Sequence, residues 1–196
     1  MTSPLTARDR AKAERADALL TEAARLFAQR GYSGVSLEDI GAAVGVSGPA
    51  VYRHFSGKQA LLGAVLVKVS EDLVTGGTAV FESTVGDDER MRALIGFHVD
   101  FALSNADVIR VQDRDLAHLA DEDRAEVRRL QRAYIDLWIS ALVALRDQSL
   151  PDDLRLRVQA CFGLINSTPH STRRASRSQR STAALLSTMA HAALLS

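Results

Sequence analysis

The chain has 196 residues, with 24 basic and 24 acidic side chains, one Cys and 46% hydrophobic residues. Such a length builds one compact domain or two small ones, and an apolar content near half excludes disorder throughout. No run of 18 apolar residues occurs and the opening MTSPLTARDRAKAERAD is polar, so neither a membrane span nor a secretory signal is expected and the default address is cytoplasmic.

Apolar residues recur at helical rather than alternating spacing, which predicts an all-α protein. Leu19, Ala23, Leu26 and Phe27 form one stripe on a first helix over about 8–30, with Gly31 as its left-handed stop. The segment SLEDIGAAVGVSGPAVYRHFSGKQALL then holds three helix starts in close succession. Ser36 caps the first, with Asp39 at the capping-box position and Gly45 as terminator. Ser47 caps the second, with Pro49 in its first turn, and Ser56 caps a third over about 57–74. Helices this brief do not stand alone, so Ile40, Val44, Val46, Val51 and Phe55 are expected to pack on the first helix. A loop is predicted around Gly76, Gly77 and Gly86, followed by helices over about 89–105, 107–118, 121–147, 152–167 and 180–195. The Ser- and Arg-rich stretch 170–182 reads as a mobile connector. Cys161 sits in an apolar run as core filler, and one thiol is too few for a structural zinc site.

Two short helices joined by a tight Gly-containing turn make a helix-turn-helix, whose second helix enters the major groove of DNA. The candidate reader is Ser47 to His54. Val51 must face inward, which leaves Gly48, Pro49, Ala50, Tyr52, Arg53 and His54 to point outward or along the backbone. The Arg53 fork matches guanine O6 and N7, although a phosphate contact or a solvated charge fits it equally. Pro49 and Ala50 suit a thymine methyl, while Tyr52, His54 and Lys58 are placed for phosphates. A net charge of zero conceals three zones. Residues 45–70 carry Arg53, Lys58 and Lys68 with no acid, residues 82–126 carry twelve acids against five Arg, and residues 170–182 carry four Arg with no acid.

The same segment, preceded by a helix ending in LFAQRGYSGV, resembles the tetracycline-repressor (TetR) family of bacterial transcription regulators over roughly residues 15–68. Phe27, Gly31, Ser36, Ile40, Ala43, Gly45, Val46, Ser47, Val51, Tyr52, His54, Phe55 and Lys58 all fit the motif. The resemblance implies that Ser36, Tyr52, His54 and Lys58 hold phosphates while Gly48, Pro49, Ala50 and Arg53 approach bases. It further implies an all-α homodimer, with a small-molecule pocket in the C-terminal domain and the last two long helices at the dimer interface. FALSNADVIRVQDRDLAHL together with FGLINSTPHS is similar to regulators associated with fatty-acid and acyl-CoA metabolism.

In the C-terminal part Phe97, Phe101, Trp138, Cys161, Phe162 and Met189 lie on apolar stripes, as core or as cavity wall. His98, Asn166 and His170 need polar partners, from the protein itself or from an effector. The candidate ligand-binding set is therefore Phe97, His98, Phe101, Trp138, Phe162 and Asn166. Arg110, Asp113 and Arg114 stand at helical spacing, to pair internally or to meet an acidic ligand. The helix at 180–195 is apolar on more than one side, which suits burial against its own domain and a partner helix together. No G-x-S-x-G, G-x-x-x-x-G-K-[ST], H-E-x-x-H or paired Glu-x-x-His motif occurs, so no enzyme, cofactor or metal is expected. The expected protein is a ligand-responsive transcriptional repressor with a DNA-binding domain over 1–60 and an effector-binding and dimerisation domain over 61–196. A small-molecule effector, an acyl-CoA or other lipid-related ligand, would release it from a palindromic operator. The alternative is a non-enzymatic ligand-binding or protein-interaction module on the same scaffold.

Overall fold

The computed structural model describes residues 6–146, 150–171 and 178–196, apart from the side chains of residues 151 and 169–171. Of the connector expected at 170–182, residues 172–177 lie outside the described residues, and both of its ends are helical, in α8 and α9. In chain order the helices are α1 (Ala7–Arg30), α2 (Leu37–Ala43), α3 (Gly48–Val51), α4 (Lys58–Ser83), α5 (Asp87–Ser104) and α6 (Ala106–Asp115). A 3₁₀ turn at Leu116–His118 follows, then α7 (Asp121–Val143), α8 (Pro151–Ser171) and α9 (Gln179–Leu195). No strand occurs among the described residues. The chain divides into two compact units, Met1–Lys68 with Arg110–Glu126, and Val69–Ile109 with Val127–Ser196.

In the first unit, local signals set the helix ends. The Thr6 hydroxyl accepts the Asp9 N–H and the Asp9 carboxylate accepts that of Thr6, a reciprocal box that opens α1. Gly31, at φ 79°, closes it, and its N–H donates to the Phe27 carbonyl. Ser36 and Asp39 form the same box on α2, as their spacing predicts. Gly45 takes φ 72° in the turn to α3. Gly41 makes that turn tight: a Cβ there would lie 2.9 Å from both the Val46 carbonyl oxygen and Val51 Cγ2. Leu19, Phe27, Ile40, Val51, Leu61 and Leu62 are completely buried. Val44, Val46 and Phe55, also expected inside, are only half-buried. Two predicted caps differ. Ser47 makes no side-chain cap bond, and α4 starts at Lys58 with Gly57 accepting its first backbone bond from Leu61, one residue beyond Ser56.

In the second unit the predicted break at Gly76 and Gly77 is absent, because α4 runs through both to Ser83. A Cβ at Gly76 would meet the Phe97 ring at 2.5 Å, and one at Gly77 the Tyr134 ring at 2.6 Å. The pair therefore provides room for two aromatic rings rather than a bend. Gly86, at φ 96°, does mark a break, as the N-cap of α5. The core gathers Met91, Leu94, Ile95, Trp138, Leu142, Val158, Cys161, Ile165 and Leu186, and burial pushes the Cys161 thiol up to about 12, the state of an inert core residue. α7 stops at Val143. Arg146, beyond the end of α7, donates to the Leu195 and Ser196 carbonyls at 2.7 and 2.6 Å, and Arg157 donates to that of Ala193. Both arginines thus serve the negative end of α9. His191 of α9 pairs with Asp88 of α5 at 2.7 Å.

Candidate nucleic-acid interface and buried aromatic cluster

α3 is one α-turn, continued by backbone bonds from Arg53 to Ala50 (3.3 Å), His54 to Val51 (2.9 Å) and Phe55 to Val51 (3.0 Å). Ser47, Pro49 and Arg53 are exposed, and Tyr52 is 54% exposed. Gly48 lies beside Glu38, whose side chain would contact a Cβ at 3.5 Å. Ala50, expected to point outward or along the backbone, is buried at 6% exposure. In so short a turn the neighbour of Val51 shares its inner side, so the Ala50 methyl is withdrawn from any base.

An open groove of about 560 Å³ runs beside this turn, and Ser36, Tyr52 and Lys58 all line it, together with Ser33, Gly34 and Asp39. Three residues expected at phosphates are thus brought to one surface from three separate segments. The Ser36 hydroxyl gives its proton to Asp39 Oδ2 at 2.7 Å, which leaves it an acceptor rather than a phosphate donor. Backbone and side-chain hydrogen bonds from Ser36 hold the Asp39 carboxyl below its ordinary value, so it stays charged. Lys58 Nζ donates to the Tyr32 carbonyl at 2.9 Å and stands 4.5 Å from the centre of the Tyr32 ring. An ammonium has three donors, and two are left over for an anion.

His54 is half-buried. Burial first, then the nearby charges of Lys12, Arg15 and Arg53, push its pKa below the ordinary histidine value. It is therefore neutral near pH 7 and sits among three cations. Lys12 and Arg15 were missed in the sequence because Asp9, Glu14 and Asp17 balance the charge of that stretch. Their three-residue spacing, which puts both on one helix face, was the available signal.

The second unit draws five of its six ligand candidates together. The His98 ring stacks on Phe162 at 4.5 Å, lies 5.8 Å from Trp138 edge-on and 6.2 Å from Phe101. Its Nε2 pairs with Asn166 Oδ1 at 3.2 Å, and the Tyr134 hydroxyl reaches Nδ1 at 3.3 Å. An acceptor on one nitrogen and a hydroxyl on the other select the neutral Nε2–H tautomer. Burial drives the His98 pKa down to about 4, partly opposed by the bond to Asn166. Phe97, the sixth candidate, packs against Gly76 instead. Tyr134 was missed as a site residue, although its place one turn before Trp138 put both on the same face. Burial lifts its phenol above the ordinary value. Among the described residues the buried Trp138 indole N–H has no hydrogen-bond partner. The cluster is neutral, closely packed and largely aromatic, with polar groups at its centre. Arg114 pairs with Asp115 at 2.8 Å, which satisfies one member of the predicted charged cluster internally.

Among the described residues no group of three or more His, Cys, Asp or Glu is placed to hold a metal, and no helix is long and apolar enough to cross a membrane.

A short helix-turn-helix above a groove with a lysine at its edge defines a DNA-binding protein of the helix-turn-helix class. Residues 19–65 match the family model described as bacterial regulatory proteins, tetR family, and residues 85–170 match the tetracyclin repressor-like C-terminal domain. The activator FasR of Mycolicibacterium smegmatis is 36% identical over 88 residues, which is 45% of this chain and 40% of FasR. The repressor KstR2 of Rhodococcus jostii is 25% identical over 83% of this chain and 80% of its own length. Among solved structures, AibR in complex with isovaleryl coenzyme A and operator DNA superposes with a TM-score of 0.75 at 21% identity, covering 89% of this chain and 97% of AibR. The chain belongs to the TetR family: it is a DNA-binding transcription regulator and not an enzyme.

Proposed function

We propose that the protein is a cytoplasmic repressor that holds a near-palindromic operator as a homodimer and leaves it when a small effector binds. The observation that carries this reading is the convergence of Ser36, Tyr52 and Lys58 on one groove beside the reader turn. In this reading residues 1–60 serve DNA. Tyr52, His54 and Lys58 hold phosphates, with Ser36 acting through its cap, while Ser47, Gly48, Pro49 and Arg53 lie along the bases. Residues 61–196 serve the effector and the dimer. The effector occupies the cluster of His98, Phe101, Trp138, Phe162 and Asn166 with Phe97 at its margin. The second family resemblance and the isovaleryl coenzyme A bound by AibR support an acyl-CoA or related lipid. A neutral aromatic cluster suits the acyl part of such a ligand, and the unpartnered Trp138 N–H can meet its carbonyl. Leu156 on α8, with Leu185 and Met189 on α9, is large, apolar and exposed, in keeping with a two-fold interface on these helices. A pair of readers then spans half-sites about 34–36 Å apart.

The test is a panel of operator variants measured at one salt concentration. Tyr52→Ala and Lys58→Ala should weaken binding across the whole panel, whereas Arg53→Ala should relax preference at one position, worth about 1–3 kcal/mol. Binding that ignores Tyr52 and Lys58 would favour the protein-interaction module instead. A promoter reporter with and without the regulator fixes the sign, since FasR is named an activator and KstR2 a repressor.

A further inference from the structure

The groove lysine does not stand by itself. Tyr32, in the loop between α1 and α2, lies under the Lys58 ammonium and accepts its hydrogen bond. The Tyr32 ring in turn stacks on His118 of the 3₁₀ turn, with centroids 4.6 Å apart and planes 29° from parallel. Gln59, next to Lys58, donates its Nε2 to the His118 carbonyl at 2.9 Å, so the 3₁₀ turn is tied to α4 as well. Neighbouring contacts pin the same segment to the unit. Arg114 Nη2 hydrogen-bonds the Phe27 carbonyl and pairs with the buried Asp115. Gly63 of α4 leaves no room for a Cβ, which would run into the Asp123 side chain. Residues 110–126, remote in sequence from the reader, are therefore structural members of the unit that carries it.

We propose that His118 is a positioning residue of the DNA-binding groove, which acts through the Tyr32 ring to set the place of the Lys58 ammonium. The proposal rests on the reading of the groove as a phosphate grip. A lysine head on a four-carbon stem has many rotamers, and a grip on phosphate is tighter when the ammonium is already held in place. The tyrosine ring supplies a cation–π platform, and the imidazole stacked on it keeps the platform from turning. The 3₁₀ turn stands between α6 and α7 in the chain.

The experiment titrates the full-length protein against a duplex of the DNA flanking its own gene over a range of KCl concentrations. The variants are His118→Ala, His118→Phe, Lys58→Gln and the His118→Ala/Lys58→Gln double variant, with thermal melting as the folding control. His118→Ala should lose about three- to tenfold in affinity, the size of one cation–π-supported contact. Its salt slope should become shallower by about 0.9, matching Lys58→Gln. His118→Phe, which restores a flat ring, should recover both. The double variant should bind like Lys58→Gln alone. Losses that multiply in the double variant, or an unchanged salt slope in His118→Ala, would overturn the positioning role while leaving the groove reading intact. A wild-type protein whose binding shows no salt dependence would overturn both.

Discussion

His98 is held as a neutral ring between Tyr134 and Asn166, and this has a thermodynamic cost in acid. Its folded pKa of about 4 lies below the ordinary value of 6.5. Below pH 6.5 the unfolded chain therefore takes up a proton that the folded chain refuses. The stabilisation is fully present above about pH 6.5 and is lost progressively as pH falls toward 4, to a total of about 3 kcal/mol. Urea denaturation across this window should show stability falling with acid, and His98→Phe should flatten that dependence while lowering stability at pH 7 through the loss of two hydrogen bonds. At this scale the sequence revealed chemistry better than direction. The Ser36–Asp39 box was legible because a cap is a local arrangement between residues three apart. The inward turn of Ala50 and the proton that Ser36 yields to Asp39 were not, since each depends on packing and on competition among acceptors.

Helix α4 shows where pattern reading meets its limit. A Gly-Gly pair weakens a helix by about 1 kcal/mol per residue relative to Ala, which is why a loop was expected there. Tertiary packing overrides that local preference, because the rings of Phe97 and Tyr134 occupy the space where side chains would be. Two alanine substitutions should consequently differ in sign. Gly77→Ala should destabilise by about 1–3 kcal/mol despite its gain in helix propensity, because a Cβ strikes the Tyr134 ring. Gly163→Ala, in α8 with nothing within 4 Å of the added carbon, should stabilise by about 0.5–1 kcal/mol. Urea midpoints of the two variants make the comparison directly. The other long helices were legible to within a few residues, because their apolar stripes and acidic first turns are local signals; the three acids Asp121, Glu122 and Asp123 that open α7 are an instance.

For the whole molecule, the family assignment and the location of the reader were legible from a dense motif. The aromatic cluster was legible only as a set of separate stripes. Its assembly joins α5, α7 and α8, and no short-range pattern tells which stripes will meet. The proposed dimer can be broken without touching either the reader or the cluster. Leu185→Arg with Met189→Arg places two charges on the exposed face of α9. Sedimentation should show the wild type as a dimer and this variant as a folded monomer, with operator affinity falling by at least about 100-fold as one of two readers is lost. A variant that stays dimeric would move the interface elsewhere on the protein.

Trp138 is the chain's single tryptophan, and it is completely enclosed. Its emission is therefore a built-in optical gauge of the second unit, blue-shifted when the rings of Phe162 and Tyr134 shield it and free of any competing indole. A dye-free screen of metabolite libraries can follow this one fluorophore, and a spectral change there would report on the interior of the aromatic cluster rather than on the surface that meets DNA.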